Sequence, residues 1–272
     1  MSELLEGFAV HRTGSTDPGH PLLVLVHGLG GAAAAWSLLT PHLAADHRLV
    51  LLDLPGHGHA PDLPAQDMTP AALGARLRRF AAAQQAARQG PVHLVGHSLG
   101  GWICLEAAAG EAGPVAGVTA FTPAGLWTSP RRRPPLLPTG QQFARLAGRL
   151  PGDLVTSRIG RTLALGATST APRALPAEVV RSAVSSIAAA AGYVAADAGI
   201  ATAAFTRAAE VPVPVTVVVG RRDRVLPPAF CRRECAPPQT RWIEWAHCGH
   251  VPAWDRPADS ARVVREHVAA TA

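Results

Sequence analysis

The chain has 272 residues, 48% hydrophobic and 16% charged, which suits one large folded domain or a core with an insertion and not a solvated disordered chain. All 25 basic residues are Arg, and neither Lys nor Asn occurs. That excludes a Schiff-base lysine, a P-loop lysine, a Ser-x-x-Lys acylating pair, the kinase Lys/Asn set and an N-glycosylation acceptor. The pI near 10.3 overstates a formal charge of only +6, because without Lys and with one Tyr little titrates between neutrality and the Arg range. The basic residues are scattered apart from Arg131, Arg132 and Arg133 and the Arg221/Arg222/Arg224 group, and aromatics are 5%, so no nucleic-acid partner is expected.

In chain order, the acidic opening MSELLEGFAV lacks a basic segment followed by a long apolar run, so no secretory signal and a cytoplasmic location are expected. Short apolar runs then alternate with helical patterns. Leu22–Val26, Leu49–Leu52, Val92–Val95, Val115–Phe121 and Val215–Val219 read as strands buried on both faces. Ala33–Leu43, Thr69–Gln89 (Thr69 as N-cap, Pro70 at the first helical position), Leu99–Ala109, Phe230–Cys235 and Ala258–Ala270 read as helices. This alternation predicts an α/β fold with a mostly parallel sheet flanked by helices.

The alternation stops between Thr128 and Glu210. Ser129–Pro138 is rich in Pro and Arg, and Thr139–Leu150, Asp153–Leu165 and Pro176–Arg207 read as helices. An all-helical insertion between two strands is expected to lie as a lid over one end of the sheet. The Ala-rich stretch Ala183–Phe205 is interrupted by Gly192, Tyr193, Asp197 and Gly199, so no membrane span is expected. The four cysteines are expected to be free. Cys231 and Cys235 are four apart and Cys248 adjoins His247, but the two-residue Cys spacing of common zinc modules is absent, so no metal is expected.

The sharpest motif is Gly96-His97-Ser98-Leu99-Gly100, placed between a strand and a helix. That is the setting of a G-x-S-x-G nucleophile elbow: the serine sits on a strained turn, side chains two positions either side would clash, and the Leu99 N–H points at the reacting centre from a helix N-terminus. A second glycine-rich element, His27-Gly28-Leu29-Gly30-Gly31, follows the first strong strand and offers the Leu29 N–H as another oxyanion donor. A serine nucleophile needs a base, and the base an orienting carboxylate. Asp223 follows the strand Val215–Val219; two histidines, His247 and His250, compete for the base, and His250, in a loop after a glycine and before the last helix, is favoured. Trp36, Trp102 and Trp127, with Leu226 and Val251 beside the candidate Asp and His, are expected to line an apolar substrate pocket.

Together HGLGG, GHSLGG, GRRDRVLP and CGHVPAWDRP resemble the α/β-hydrolase fold superfamily, and Asp53-Leu54-Pro55-Gly56-His57-Gly58 looks like the D-x-P-G-x-G turn of its capped members. The resemblance implies an α/β-hydrolase core over 1–127 and 211–272, a helical cap over 128–210, Ser98 as nucleophile, His250 as general base, Asp223 as its orienter, and Leu29 and Leu99 as oxyanion donors. Asp255 stands at the usual acidic position after G-H-x-P, while Asp53 and His57 read as structural. Ser at the elbow argues against dehalogenase and epoxide hydrolase chemistry, and the lack of Lys against hydroxynitrile lyase chemistry. The expected reaction is hydrolysis of a small or medium carboxylic ester, with no cofactor and a small molecule as partner. Carbon–carbon bond hydrolysis, natural-product tailoring and a receptor with a retained triad stay open, as does the oligomeric state.

Overall fold

The computed structural model describes residues 3–88, 90–129 and 140–271. Gln89, Arg131–Arg133, Pro138 and Thr139, which fall in segments with an expectation from sequence, lie outside them. Eight strands form one sheet: β1 Glu3–Leu5, β2 Phe8–Gly14, β3 Leu22–Val26, β4 Arg48–Asp53, β5 Val92–His97, β6 Val115–Phe121, β7 Val215–Gly220 and β8 Arg241–Trp245. The spatial order is β1-β2-β4-β3-β5-β6-β7-β8. β1 and β2 pair antiparallel, β2 runs antiparallel to β4, and all remaining pairs are parallel. The α/β-hydrolase fold expected from the motifs is the one observed.

Strand periodicity explains how one sheet supports two cores. Leu22, Val24 and Val26 of β3 face the core that contains Leu73, Leu77, Phe80, Leu99 and Trp102, whereas Leu23 and Leu25 face the core that contains Trp36, Leu39, Leu43, Val263 and Val264. The first is covered by α1 (Pro70–Arg88) and α2 (Leu99–Ala108), the second by α9 (Pro257–Ala269), which follows the short α8 (Pro252–Asp255). Thr69 caps α1: its Oγ1 accepts the Ala72 N–H at 3.2 Å. All ten residues of α2 are buried, which fits a helix without a polar face.

Between β6 and β7 the described residues form α3 (Gly140–Ala147), α4 (Gly152–Thr156), α5 (Arg158–Leu165), α6 (Ala177–Ala189) and α7 (Tyr193–Thr202). Two helices expected as single are broken. Ser157 ends α4 and caps α5, its Oγ accepting the Gly160 N–H at 3.0 Å. The stretch Pro176–Arg207 bends by 82° between α6 and α7, and among the described residues no single helix is long and apolar enough to cross a membrane. Ala33–Leu43 and Phe230–Cys235 are parts of pairs of short 3-10 turns and not helices; in the first, Pro41 removes a backbone donor inside the expected helix.

Candidate active site

Ser98 separates β5 from α2 with φ 53° and ψ −117°, a left-handed conformation that a side-chain-bearing residue adopts only under constraint. Glycines supply the constraint. A Cβ on Gly96 would strike the Gly100 carbonyl, and one on Gly100 would strike the carbonyl oxygens of Val26 and His27. The sharp turn therefore requires glycine at both positions. Leu99 begins α2, so its N–H has no acceptor within the helix and remains available at the elbow.

The glycine loop after β3 passes directly against this turn. A Cβ on Gly28 would lie 3.0 Å from Ser98 Cβ and 2.9 Å from His97 Nδ1. His27 anchors the loop: its Nε2 accepts the Leu54 N–H at 3.0 Å, so its Nδ1–H donates to the Gly28 carbonyl at 2.7 Å. Burial, reinforced by the neighbouring His57, pushes the His27 pKa down to about 4 and keeps the ring neutral for both roles.

Asp223 follows β7 and His250 follows β8. His250 Nδ1–H donates to Asp223 Oδ2 at 2.7 Å, with both residues buried. The other carboxylate oxygen accepts the Val225 N–H at 2.8 Å and the Leu226 N–H at 2.7 Å, which fixes the plane of the carboxylate. His247, the competing histidine, is exposed. Ser98, Asp223, His250 and Leu29 all lie just past the C-terminal ends of β5, β7, β8 and β3, the edge of an open α/β sheet where ligands bind.

Two residues that sequence reasoning passed over hold the His250 backbone. Thr122 Oγ1–H donates to the His250 carbonyl at 2.7 Å, and His97 Nε2–H donates to it at 2.8 Å. The His97 and His250 rings meet edge to face with centroids 4.8 Å apart. Burial, and then the adjacent His250, push the His97 pKa down to about 3, so His97 serves as a neutral donor. Thr122 is itself left-handed at φ 43°. A histidine beside the elbow serine was the visible signal for His97; nothing local marked Thr122.

The model of the Alpha/beta hydrolase family matches residues 23–263. The chain belongs to the alpha/beta hydrolase family. Among curated relatives, a pimeloyl-[acyl-carrier protein] methyl ester esterase from Methylococcus capsulatus is 39% identical over 99 residues, 36% of this chain and 35% of the relative. Protein phosphatase methylesterase 1 from Mus musculus is 32% identical over 109 residues, 39% of this chain and 28% of the relative. The chain thus matches about a third of the length of these relatives. An esterase from Exiguobacterium antarcticum superposes with a TM-score of 0.73 at 16% identity, covering 99% of this chain and 100% of the other. A thermophilic esterase from Thermogutta terrifontis does so at 0.69 and 21% identity, covering 97% and 93%. These superpositions establish the α/β-hydrolase fold.

Within this α/β-hydrolase frame, the acidic residue after G-H-x-P has a defined task. Asp255 accepts the Gly249 N–H at 2.7 Å, the Ser169 Oγ–H at 2.6 Å and the Thr170 N–H at 3.0 Å, while Val251 N–H donates to the Thr168 carbonyl at 3.0 Å. The loop 168–170 of the helical insertion therefore clasps the loop that carries His250. An open cavity of about 440 Å³ lies between residues 162–174 and Arg222 and Arg224, on either side of Asp223.

The five side chains expected to line an apolar substrate pocket are all buried. Trp36 is a core residue on one face of the sheet, and Trp102 packs edge to face on Trp127 in the core of the other, centroids 5.5 Å apart. Their indoles are held inside, Trp102 donating to Glu106 at 2.9 Å and Trp127 to the Ala203 carbonyl at 2.8 Å. Leu226 and Val251 are buried too, and contribute backbone N–H groups to the loops beside Asp223 and His250. The cysteines Cys104, Cys231 and Cys248 are buried and Cys235 half-buried, with burial raising the thiol pKa of each.

Proposed function

We propose that this chain is a serine hydrolase that cleaves a small or medium carboxylic ester through an acyl-enzyme on Ser98. The observation that carries the reading is the buried His250–Asp223 pair, 2.7 Å apart, with the carboxylate tied down by two backbone N–H groups beside a left-handed serine on the same sheet edge. In this reading Asp223 keeps the proton on His250 Nδ1, which leaves Nε2 free to accept the Ser98 proton as Oγ attacks the ester carbonyl. The Leu29 and Leu99 N–H groups stabilise the developing oxyanion, about 3 kcal/mol or more for each donor. His250 then gives its proton to the departing alkoxide; in the second half it takes a proton from the attacking water and returns it to Ser98 Oγ as the acyl–Oγ bond breaks, which releases the acid and restores both residues.

The described helices α3 to α7 form the cap in this reading. Support comes from the glycine loop, where a Cβ on Gly30 would meet Tyr193 at 3.0 Å and Ile187 at 3.1 Å, so the end of α6 and the start of α7 lie against the loop that carries Leu29. The methyl ester esterases among the relatives support an ester substrate. The deciding experiment compares wild type with Ser98→Ala on chromogenic esters of increasing acyl length and maps a fluorophosphonate adduct by mass spectrometry. The expected result is labelling at Ser98 and loss of nearly all turnover in the variant. Full activity of Ser98→Ala, or labelling at another residue, refutes the assignment, and a stoichiometric burst without turnover marks a receptor.

A further inference from the structure

At the C-terminal end of β4, beside its antiparallel neighbour β2, three residues converge on one point. We propose that His11, Asp53 and His59 form a binding site for a divalent transition-metal ion of the zinc, nickel or copper type. His11 Nε2 lies 2.8 Å and His59 Nδ1 3.3 Å from Asp53 Oδ2, and the three donor atoms all fall within 4.8 Å of one another. Metal–nitrogen and metal–oxygen bonds of about 2.1 Å place neighbouring donors about 3.0 Å apart at right angles and about 3.4 Å apart in a tetrahedron. The two distances to Asp53 fall at these values. The His59 ring is 75% exposed, so it is free to adjust its orientation as an ion binds.

Three features make this a prepared site. First, backbone donors anchor the carboxylate: Asp53 Oδ1 accepts the Ala33 N–H at 2.6 Å, and Oδ2, the proposed donor atom, also accepts the His59 N–H at 2.9 Å. Second, Gly58 is left-handed, with its Cβ position filled by the Asp53 carboxylate, so the turn Gly56–His59 folds closely around Asp53 and delivers His59 to it. Third, the donors differ in access. Asp53 is buried, His11 is half-buried and His59 is open to solvent, which provides an entry path and leaves further coordination positions to water. Two imidazoles and one carboxylate suit zinc, nickel and copper, whereas calcium and magnesium prefer oxygen throughout.

Binding needs no redox step and no covalent change in the protein. Each imidazole donates a ring-nitrogen lone pair. The proton now facing Asp53 moves to the other ring nitrogen, or leaves to solvent if the ring was charged. The ion would then join β2 to the turn after β4, where the His11 and His59 rings already lie with centroids 5.5 Å apart.

The test uses the full chain with any affinity tag removed, stripped with a chelator and titrated with Zn²⁺ against a chromophoric competitor; Co²⁺ absorption reports the ligand field. One ion per chain is expected, with micromolar or tighter affinity and a higher melting temperature on loading. His59→Gln and His11→Gln should each weaken binding about tenfold or more and abolish the thermal shift, while His247→Gln, at an exposed histidine elsewhere, should change neither. Asp53 is left untouched because it anchors the chain at Ala33 and His59. Absence of stoichiometric binding, or binding indifferent to both His59→Gln and His11→Gln, overturns the proposal.

Discussion

Replacing Asp223 by Asn removes a charge but keeps the shape, and the neighbouring hydrogen bonds dictate the consequence. The residue faces two donors on one side, the N–H groups of Val225 and Leu226, and His250 Nδ1 on the other. Only the amide oxygen of Asn can accept. Turning its NH₂ towards Val225 and Leu226 would leave both buried donors without an acceptor, at about 1–3 kcal/mol each. The oxygen therefore stays with the backbone, and the NH₂ meets His250 Nδ1, which must become the acceptor. The imidazole proton moves to Nε2, the nitrogen that has to take the Ser98 proton. The expected loss in kcat is about 10⁴-fold, or about 5 kcal/mol of transition-state stabilisation, the scale known for the equivalent change in a serine protease. Because the backbone hydrogen bonds survive, the melting temperature should move by no more than a few degrees. Steady-state kinetics on a p-nitrophenyl ester, paired with thermal unfolding by circular dichroism, reads both quantities. A variant that folds normally and keeps kcat within tenfold of wild type would refute the orienting role of Asp223.

Gly100→Ala should be barely tolerated, because the added methyl meets the Val26 and His27 carbonyl oxygens; a loss of several kcal/mol in urea unfolding is expected, and a neutral result would contradict the elbow geometry. His27, His93 and His267 are buried with pKa values lowered to about 4, chiefly by desolvation, so the unfolded chain takes up protons that the native chain refuses between about pH 6.5 and 4. Their stabilising contribution is complete above about pH 6.5 and lost as pH falls through about 4, at up to about 3 kcal/mol per group, so urea midpoints should fall steeply over that window; flat midpoints down to pH 4 would disprove it. Asp255→Ala should cost about 1–3 kcal/mol of stability and lower kcat by loosening the His250 loop, with kinetics and thermal melts as the readouts; unchanged kcat would show that the clasp on residues 168–170 is dispensable.

The parallel strands and the residues brought together at the sheet edge were legible because both are written in local patterns: continuous Val/Leu runs for β3 to β7, and glycines flanking Ser98. What escaped was built from weaker or longer-range signals. β8, Arg-Trp-Ile-Glu-Trp, is an edge strand with exposed Arg241 and Glu244, so it lacks the apolar run that marked the others. β1 and β2 escaped because the hairpin mixes Glu, His and Arg with its apolar residues. The bonds from His97 and Thr122 to the His250 carbonyl span 153 and 128 residues, and the link from Ser169 to Asp255 spans 86. No spacing rule reaches that far. The tryptophans are ambiguous in sequence for a related reason: a large amphipathic side chain suits either a pocket wall or a core, and only the packing around it decides.

The sheet terminates on one side in β1, three residues long, and on the other in β8, whose exposed positions carry Arg241 and Glu244. A bare outer strand invites a second molecule to continue the ladder. One boundary here is too short to template such growth, and the other presents charges that would have to shed water to be paired. The apolar strands β3 to β7 between them are thereby kept from nucleating fibrils, so concentrated solutions of the folded protein should resist sheet-mediated aggregation even though the interior is dominated by Val and Leu.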